Sequence, residues 1–101
     1  MRRRWHRRLV CWLYLVRCSD GTLYVGHTDD LETRIARHNK GFASSYTARR
    51  CPVALVYSEK YHTRLAAIER ERQLKRWSGQ KKEALVRGDL GRLRTLARRR
   101  T

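Results

Sequence analysis

The sequence predicts an α+β domain: a small three-stranded antiparallel sheet flanked by helices, in the order β-β-α-β-α-α. Three observations lead there. Two β-rich runs, Leu9 to Cys18 and Thr22 to Gly26, flank the turn-forming triplet Ser19-Asp20-Gly21 and read as a hairpin. Pro52 opens a third β-rich run, Val53 to Tyr57. On either side of that run lie stretches with helical apolar spacing, each preceded by an N-cap residue. With 101 residues, the chain has room for one hydrophobic core, so a single domain is expected.

Strand side chains alternate with a period of two, so the hairpin's loop length decides which residues share a face. A two-residue Asp20-Gly21 turn would split Leu13 and Leu15 from Leu23 and Val25. A three-residue loop, with Gly21 in the left-handed conformation of a G1 bulge, gathers all four on one buried face. That register sets Tyr14 and Tyr24 diagonally across the opposite face, close enough to share a site. Thr28-Asp29-Asp30 then offers N-caps for a helix through Leu31 to His38 that stops near Asn39-Lys40-Gly41, with Leu31, Arg34, Ile35 and His38 on one face. Gly41 to Arg50 reads as a basic, polar loop. Thr63 caps a helix from about Arg64 to Trp77, and Ser78 caps another from Gly79 to about Val86. From Gly88 onward, arginines with scattered leucines read as a short helix or a mobile basic tail. The expected organisation is a basic N-terminal extension over residues 1–8, the folded domain over 9–87 and a basic C-terminal tail over 88–101, with no internal repeat or linker.

Lys and Arg number 25 against 9 Asp and Glu, a formal net charge of +16. That much like charge on a short chain repels itself unless a polyanion neutralises it, so nucleic acid is the expected partner. Charge gives binding and no chemistry: a solvated basic surface or a ribosome-associated protein has the same balance. Cys11, Cys18 and Cys51 match neither a zinc knuckle nor a redox Cys-x-x-Cys pair and read as reduced thiols of a cytoplasmic protein. The basic start followed by Leu9 to Val16 imitates a signal peptide, but the apolar run ends in Arg17-Cys18-Ser19-Asp20-Gly21, a turn with no small-residue cleavage site. No stretch has the length of a membrane span.

Trp12-Leu13-Tyr14, nine intervening residues and Tyr24-Val25-Gly26 resemble the paired tripeptides of the GIY-YIG nuclease family, the first keeping only its tyrosine. The family's arginine in the next helix is matched by Arg34, within Asp30 to Asn39, and its glutamate one helix later by Glu71, within Ala67-Ile68-Glu69-Arg70-Glu71. Each tripeptide alone is a weak signal; the ordered set is specific. The similarity covers roughly Leu9 to Val86 and is to short stand-alone bacterial members, themselves similar to the catalytic domain of structure-specific repair nucleases. It implies a metal-dependent endonuclease that hydrolyses DNA phosphodiester bonds, directed by structure or by single strands in DNA repair or processing. Tyr14, Tyr24 and Arg34 would be catalytic, and Glu71 would hold a single Mg2+ or Mn2+. The alternative is a catalytically silent basic nucleic-acid-binding protein.

Phosphodiester hydrolysis needs an activated water, charge stabilisation on the nonbridging oxygens and help for the departing oxygen. Arg34 presents a planar fork of donors suited to a phosphate, though it is also one more arginine on a basic surface. Glu71 offers the carboxylate oxygen a hard cation prefers, and it is also an ordinary i,i+4 partner for Lys75. Ala67, Ile68 and Leu74 flank Glu71, whereas Glu69 lies on a more polar face; a carboxylate beside an apolar stripe needs compensation, which a metal supplies. Tyr14 is favoured over Tyr24 as the base that activates water, although a free phenol near pKa ~10 needs a neighbouring cation for that work; simple packing is the alternative for either. His38, one helical turn beyond Arg34, is placed to relay a proton or bind phosphate, or to lie on the surface. His27 follows the second tripeptide where many relatives carry lysine, and is expected beside the nucleic acid. Lys40, Tyr46, Arg49 and Arg50 mix cations and an aromatic as a nucleic-acid groove does. Such contacts position a strand without reading its sequence, so recognition of DNA shape, ends or single strands is expected. RNA stays open as a substrate, and a protein partner that directs or activates cleavage is compatible with the domain's size.

Overall fold

The computed structural model describes residues 10–98. The expected N-terminal extension, residues 1–8, and the last three residues of the expected C-terminal tail lie outside the described residues. Strands β1 (Cys11–Arg17) and β2 (Leu23–Thr28) are followed by helix α1 (Leu31–Asn39), a single-turn helix α2 (Ser45–Ala48) and strand β3 (Ala54–Tyr61). Helices α3 (Arg64–Lys75), α4 (Gly79–Arg87) and α5 (Leu90–Arg98) complete the fold. The sheet is antiparallel with order β2-β1-β3, so β1 is its centre.

The hairpin has the three-residue loop. Cys18 N–H donates to the Thr22 carbonyl at 2.8 Å, Gly21 N–H to the Cys18 carbonyl at 2.9 Å, and Gly21 has φ +88°, which only glycine adopts freely. The register pairs Leu15 with Val25 and Val16 with Tyr24. Alternation then sends the two sets of side chains to opposite faces. Leu13, Leu15 and Val25 pack with Leu74 of α3, and Leu85 and Val86 of α4 join them. On the other face Tyr14, Val16, Cys18 and Val53 pack with Tyr24 and with Leu31 and Ile35 of α1. Side chains of Asp30, Thr63 and Ser78 cap α1, α3 and α4 by accepting from the N–H three residues on.

Two elements differ from the sequence reading, and a third takes one of the two forms it allowed. The loop after Gly41 contains α2, whose first turn Ser44 caps by accepting from the Thr47 N–H. The third strand runs on past Tyr57 to Tyr61, because the inward-facing Glu59 is fully partnered: Tyr57 and Tyr61 hydroxyls donate to it at 2.5 and 2.7 Å, and Arg70 donates twice at 3.0 Å. A largely buried carboxylate in a strand is costly without such partners. Beyond Gly88, which ends α4 in the left-handed conformation, the chain is helical, and buried Leu96 anchors α5 where it packs along α4. Among the described residues no helix is long and apolar enough to cross a membrane.

Candidate active site

The α1 face of the sheet carries a buried chain of hydrogen bonds. Tyr14, at the centre of β1, is 1% exposed, and its hydroxyl lies 2.7 Å from Nε2 of His38, itself 1% exposed on α1. His38 Nδ1 lies 2.7 Å from Oγ1 of Thr47 on α2, and Thr47 Oγ1 donates onward to the Ser44 carbonyl at 3.4 Å. Two proton arrangements fit this chain: with the Thr47 proton on the Ser44 carbonyl, Nδ1–H donates to Thr47 Oγ1 and Nε2 accepts from the phenol; with the Thr47 proton on Nδ1, Nε2–H donates to the phenol oxygen. In the first arrangement His38 turns its Nε2 lone pair to Tyr14. Burial, followed by the charge of nearby Arg34, lowers its pKa below the ordinary histidine value and keeps it neutral. Burial pushes the Tyr14 phenol up to about 12, with the Arg34 guanidinium pulling the other way.

Room for this phenol comes from Gly26, which pairs directly with Tyr14 across the sheet. A Cβ at Gly26 would lie 2.5 Å from the Tyr14 hydroxyl oxygen and 2.7 Å from Cζ, both impossible contacts. The ring crosses its neighbour's backbone only because that neighbour has no side chain.

Tyr24 borders the same site. Its ring meets that of His38 edge-on at 5.3 Å and stacks on Tyr46 at 5.9 Å, and the Arg50 guanidinium covers Tyr46 at 3.8 Å. Arg50 also donates to Asp20 at 3.0 Å and to the Tyr46 carbonyl at 2.8 Å, while the Tyr46 hydroxyl donates to Thr22 at 2.9 Å. Tyr46 and Arg50 therefore brace the loop against the hairpin.

Glu71 reaches the site from α3, beyond the β2 edge. Its side chain is 15% exposed; His27 Nδ1 donates to Oε1 at 2.5 Å and Lys75 Nζ to Oε2 at 2.7 Å. Burial alone would raise the Glu71 pKa, but the hydrogen bonds from Lys75 and His27 outweigh it and hold the carboxyl below its ordinary value. The Lys75 ammonium lies 5.9 Å from the centre of the Tyr24 ring, which joins the carboxylate to the tyrosine face. Arg34, half-buried on α1, donates to the His27 carbonyl at 3.4 Å, so the backbone of His27 and its side chain connect Arg34 and Glu71.

The structure brings Tyr14, Tyr24, Arg34, His38 and Glu71 into one neighbourhood, and gives His27 to Glu71. Lys40 and Arg49 are exposed at the C-terminal ends of α1 and α2, Tyr46 stacks on Tyr24, and Arg50 is committed to Asp20. Three contributors were not singled out from sequence: Thr47, Lys75 as a contact of Tyr24, and Gly26 as the space for Tyr14. Gly26 was visible as the last residue of the second tripeptide. Nothing local marks Thr47, whose partner is nine residues away across a turn.

Residues 10–84 match the family model described as the GIY-YIG catalytic domain. Over 75 residues the chain is 45% identical to a UPF0213 protein of Staphylococcus saprophyticus and 44% identical to one of Staphylococcus aureus, each match taking in 74% of this chain and 92% of the relative. The fold is similar to the solution NMR structure of a UPF0213 protein from Bacillus halodurans, with TM-score 0.52 and 34% identity over 79% of this chain and 85% of that one. It is likewise similar to that of a protein from E. faecalis, with TM-score 0.54 and 33% identity over 78% and 84% of the two chains.

Proposed function

The chain belongs to the GIY-YIG nuclease family, and from that premise we propose that it is an endonuclease that hydrolyses DNA phosphodiester bonds with a single divalent ion, Mg2+ or Mn2+, acting on DNA structure or single strands in repair or processing. The observation that carries this reading is the hydrogen-bonded chain Tyr14–His38–Thr47 beside Arg34, taken with the imidazole proton on Nδ1. A phenol with a pKa of about 12 is a weak acid, yet it need not ionise to act. As water attacks phosphorus, its proton passes to the Tyr14 oxygen while the Tyr14 proton passes to His38 Nε2. The new P–O bond forms, the sugar oxygen leaves with the old bond's electron pair and takes a proton from solvent, and His38 is left as an imidazolium that returns its proton through Tyr14 to water once the products leave. Tyr14 is the shuttle, and neutral His38 is the base. Arg34 stabilises the charge that grows on the nonbridging oxygens, and the Tyr24 ring borders the same site.

Family members generally use divalent metal ions, and Glu71 fits one. It is held deprotonated and partly buried, with His27 on Oε1 and Lys75 on Oε2, so an ion bound there would take the place of one of them. One carboxylate suits a hard cation that keeps most of its water. A divalent ion held by Glu71 would supply positive charge beside the reacting phosphate. Two of the three free thiols are buried, which suits a reducing compartment such as the cytoplasm. A protein partner that directs cleavage is compatible with so small a domain.

The test is incubation of the full chain with Mg2+ or Mn2+ and single-stranded, duplex, flapped and branched DNAs, with EDTA controls. Metal-dependent cutting of at least one substrate is expected. Binding of every substrate with cleavage of none would establish the silent binding protein instead.

A further inference from the structure

The loop that delivers Thr47 and Tyr46 to the site also holds one aromatic ring away from the protein. Phe42, the chain's only phenylalanine, is 70% exposed. Single exposed apolar residues are common and mean little alone. Phe42 differs in how its backbone is held: its N–H donates to the Arg37 carbonyl at 2.9 Å, and its carbonyl accepts from Arg37 Nη2 at 3.5 Å. Preceding it, Gly41 has φ +83° and donates its N–H to the His38 carbonyl at 3.0 Å. The ring projects from a fastened turn. Its surroundings are cationic as well. A Cβ at Gly41 would lie 3.9 Å from that of Ala48, so the two ends of the loop meet and bring Arg49 beside the Lys40–Phe42 turn. Lys40 and Arg49 are exposed and have no carboxylate partner among the described residues, in contrast to Arg17, Arg50 and Arg70, which are all paired.

We propose that Phe42 is a stacking platform for an unpaired base, with Lys40 and Arg49 on the flanking phosphates, so that the preferred substrate carries single-stranded nucleotides next to the scissile bond. An aromatic face stacks on any base and needs that base to be out of a duplex, while free cations beside it take the backbone. Within a paired duplex the base faces are stacked on one another and the platform finds nothing to cover. This deepens the nuclease reading above and rests on it for the word substrate; the binding claim stands apart from catalysis.

The experiment therefore measures binding in EDTA, where metal-dependent cleavage is off. The full chain, Phe42→Ala and Phe42→Tyr are titrated into an oligonucleotide carrying 2-aminopurine, once as a single strand and once as the perfect duplex, with affinity followed by anisotropy and stacking by 2-aminopurine emission. Expected for the wild type and Phe42→Tyr is a change in 2-aminopurine emission on binding the single strand. Phe42→Ala should lose that change and bind the single strand roughly 5- to 150-fold more weakly, the span for one stacked base, with duplex affinity unchanged within about twofold. Equal affinities of Phe42→Ala and wild type for the single strand would overturn the proposal. Equal losses on both DNAs, with Phe42→Tyr restoring them, would overturn it too, since the ring would then serve the fold or the duplex. Wild-type protein that stacks the base but cuts nothing with metal would leave this platform standing and sink the nuclease reading.

Discussion

The hydroxyl of Tyr14 lies 2.7 Å from Nε2 of His38, a bond that ties the central strand to a helix 24 residues further along the chain. If His38 receives the phenolic proton, it must be neutral at the start of each turnover. Its pKa is depressed by burial and then by Arg34, and the other groups facing it are the uncharged Tyr24 ring and Thr47. The rate at saturating metal should therefore be level across neutral pH and fall only as pH drops through a value below the ordinary histidine pKa of ~6.5. The Tyr14 phenol at about 12 places no alkaline limb near pH 8 to 9. Stability follows the same sign. A depressed folded-state pKa leaves His38's contribution complete above ~6.5 and loses it as pH falls from there through the folded value. A His38→Gln variant should lack this loss. Thermal unfolding from pH 7.5 to 5 and single-turnover rates over the same range check both; a rate that rises steadily to pH 10 would assign the base to ionised Tyr14.

In the proton path proposed above, Thr47 supplies the acceptor that holds His38 in the Nδ1–H tautomer. Thr47→Val keeps the shape and removes that acceptor, leaving a buried N–H unsatisfied at a cost of about 1–3 kcal/mol. The tautomer should then become mixed, visible in long-range proton–nitrogen NMR correlations of the imidazole. Cleavage should slow by roughly 10- to 100-fold, part of the ~10²–10⁴ that a positioned acid–base group contributes. Thr47→Ser should restore both. An unchanged imidazole spectrum in Thr47→Val would show that Thr47 does not set the tautomer.

The hairpin register was legible because two rules agreed: alternation demanded one apolar face, and Gly21 offered the only cheap left-handed residue to set the loop. His38 was legible only as a position on the α1 face. Its burial depends on Thr47 and on the Tyr14 hydroxyl, partners that sequence spacing does not announce. Polar Ser58, Glu59 and Lys60 do not continue the β-rich run that ends at Tyr57. Glu59 faces inward only because Arg70, from the next helix, and two tyrosines satisfy it. Single-turn α2 has too few residues to show a period, and Ser44 was one polar residue among several.

Gly26→Ala tests the claim that a missing side chain makes the space for the Tyr14 phenol. The added Cβ would meet Oη at 2.5 Å and Cζ at 2.7 Å, so the ring or the strand must move. Overpacking of this kind costs about 1–3 kcal/mol, which a denaturant titration resolves. Activity should fall further than stability explains, since the displaced hydroxyl loses its line to His38. Gly79→Ala, where the Cβ meets nothing within 4 Å, is the control and should be close to neutral or slightly stabilising. Wild-type turnover in Gly26→Ala would refute the placement of Tyr14 in the proton path.

Glu71 and Glu69 separate metal chemistry from general charge. Glu71 is 15% exposed and bonded to Lys75 and His27, whereas Glu69 is an exposed residue two positions away on the same helix. Glu71→Gln and Glu69→Gln each remove one negative charge, so any long-range effect on DNA affinity should be alike for both. Loss of the metal's carboxylate should drop turnover by orders of magnitude in Glu71→Gln alone, with DNA still bound. Lys75 adds a second, opposite readout. Its ammonium, 2.7 Å from Oε2, occupies the same lone pairs a cation would use. Lys75→Met should lower the metal concentration for half-maximal cleavage by roughly fivefold, the equivalent of the ~1 kcal/mol at the upper end for a partly exposed pair. The ion pair itself is too weak for its loss to explain a large rate defect through unfolding. Full cleavage by Glu71→Gln at ordinary metal concentration would remove Glu71 from the metal site, and a collapse confined to Glu69→Gln would move the ligand there.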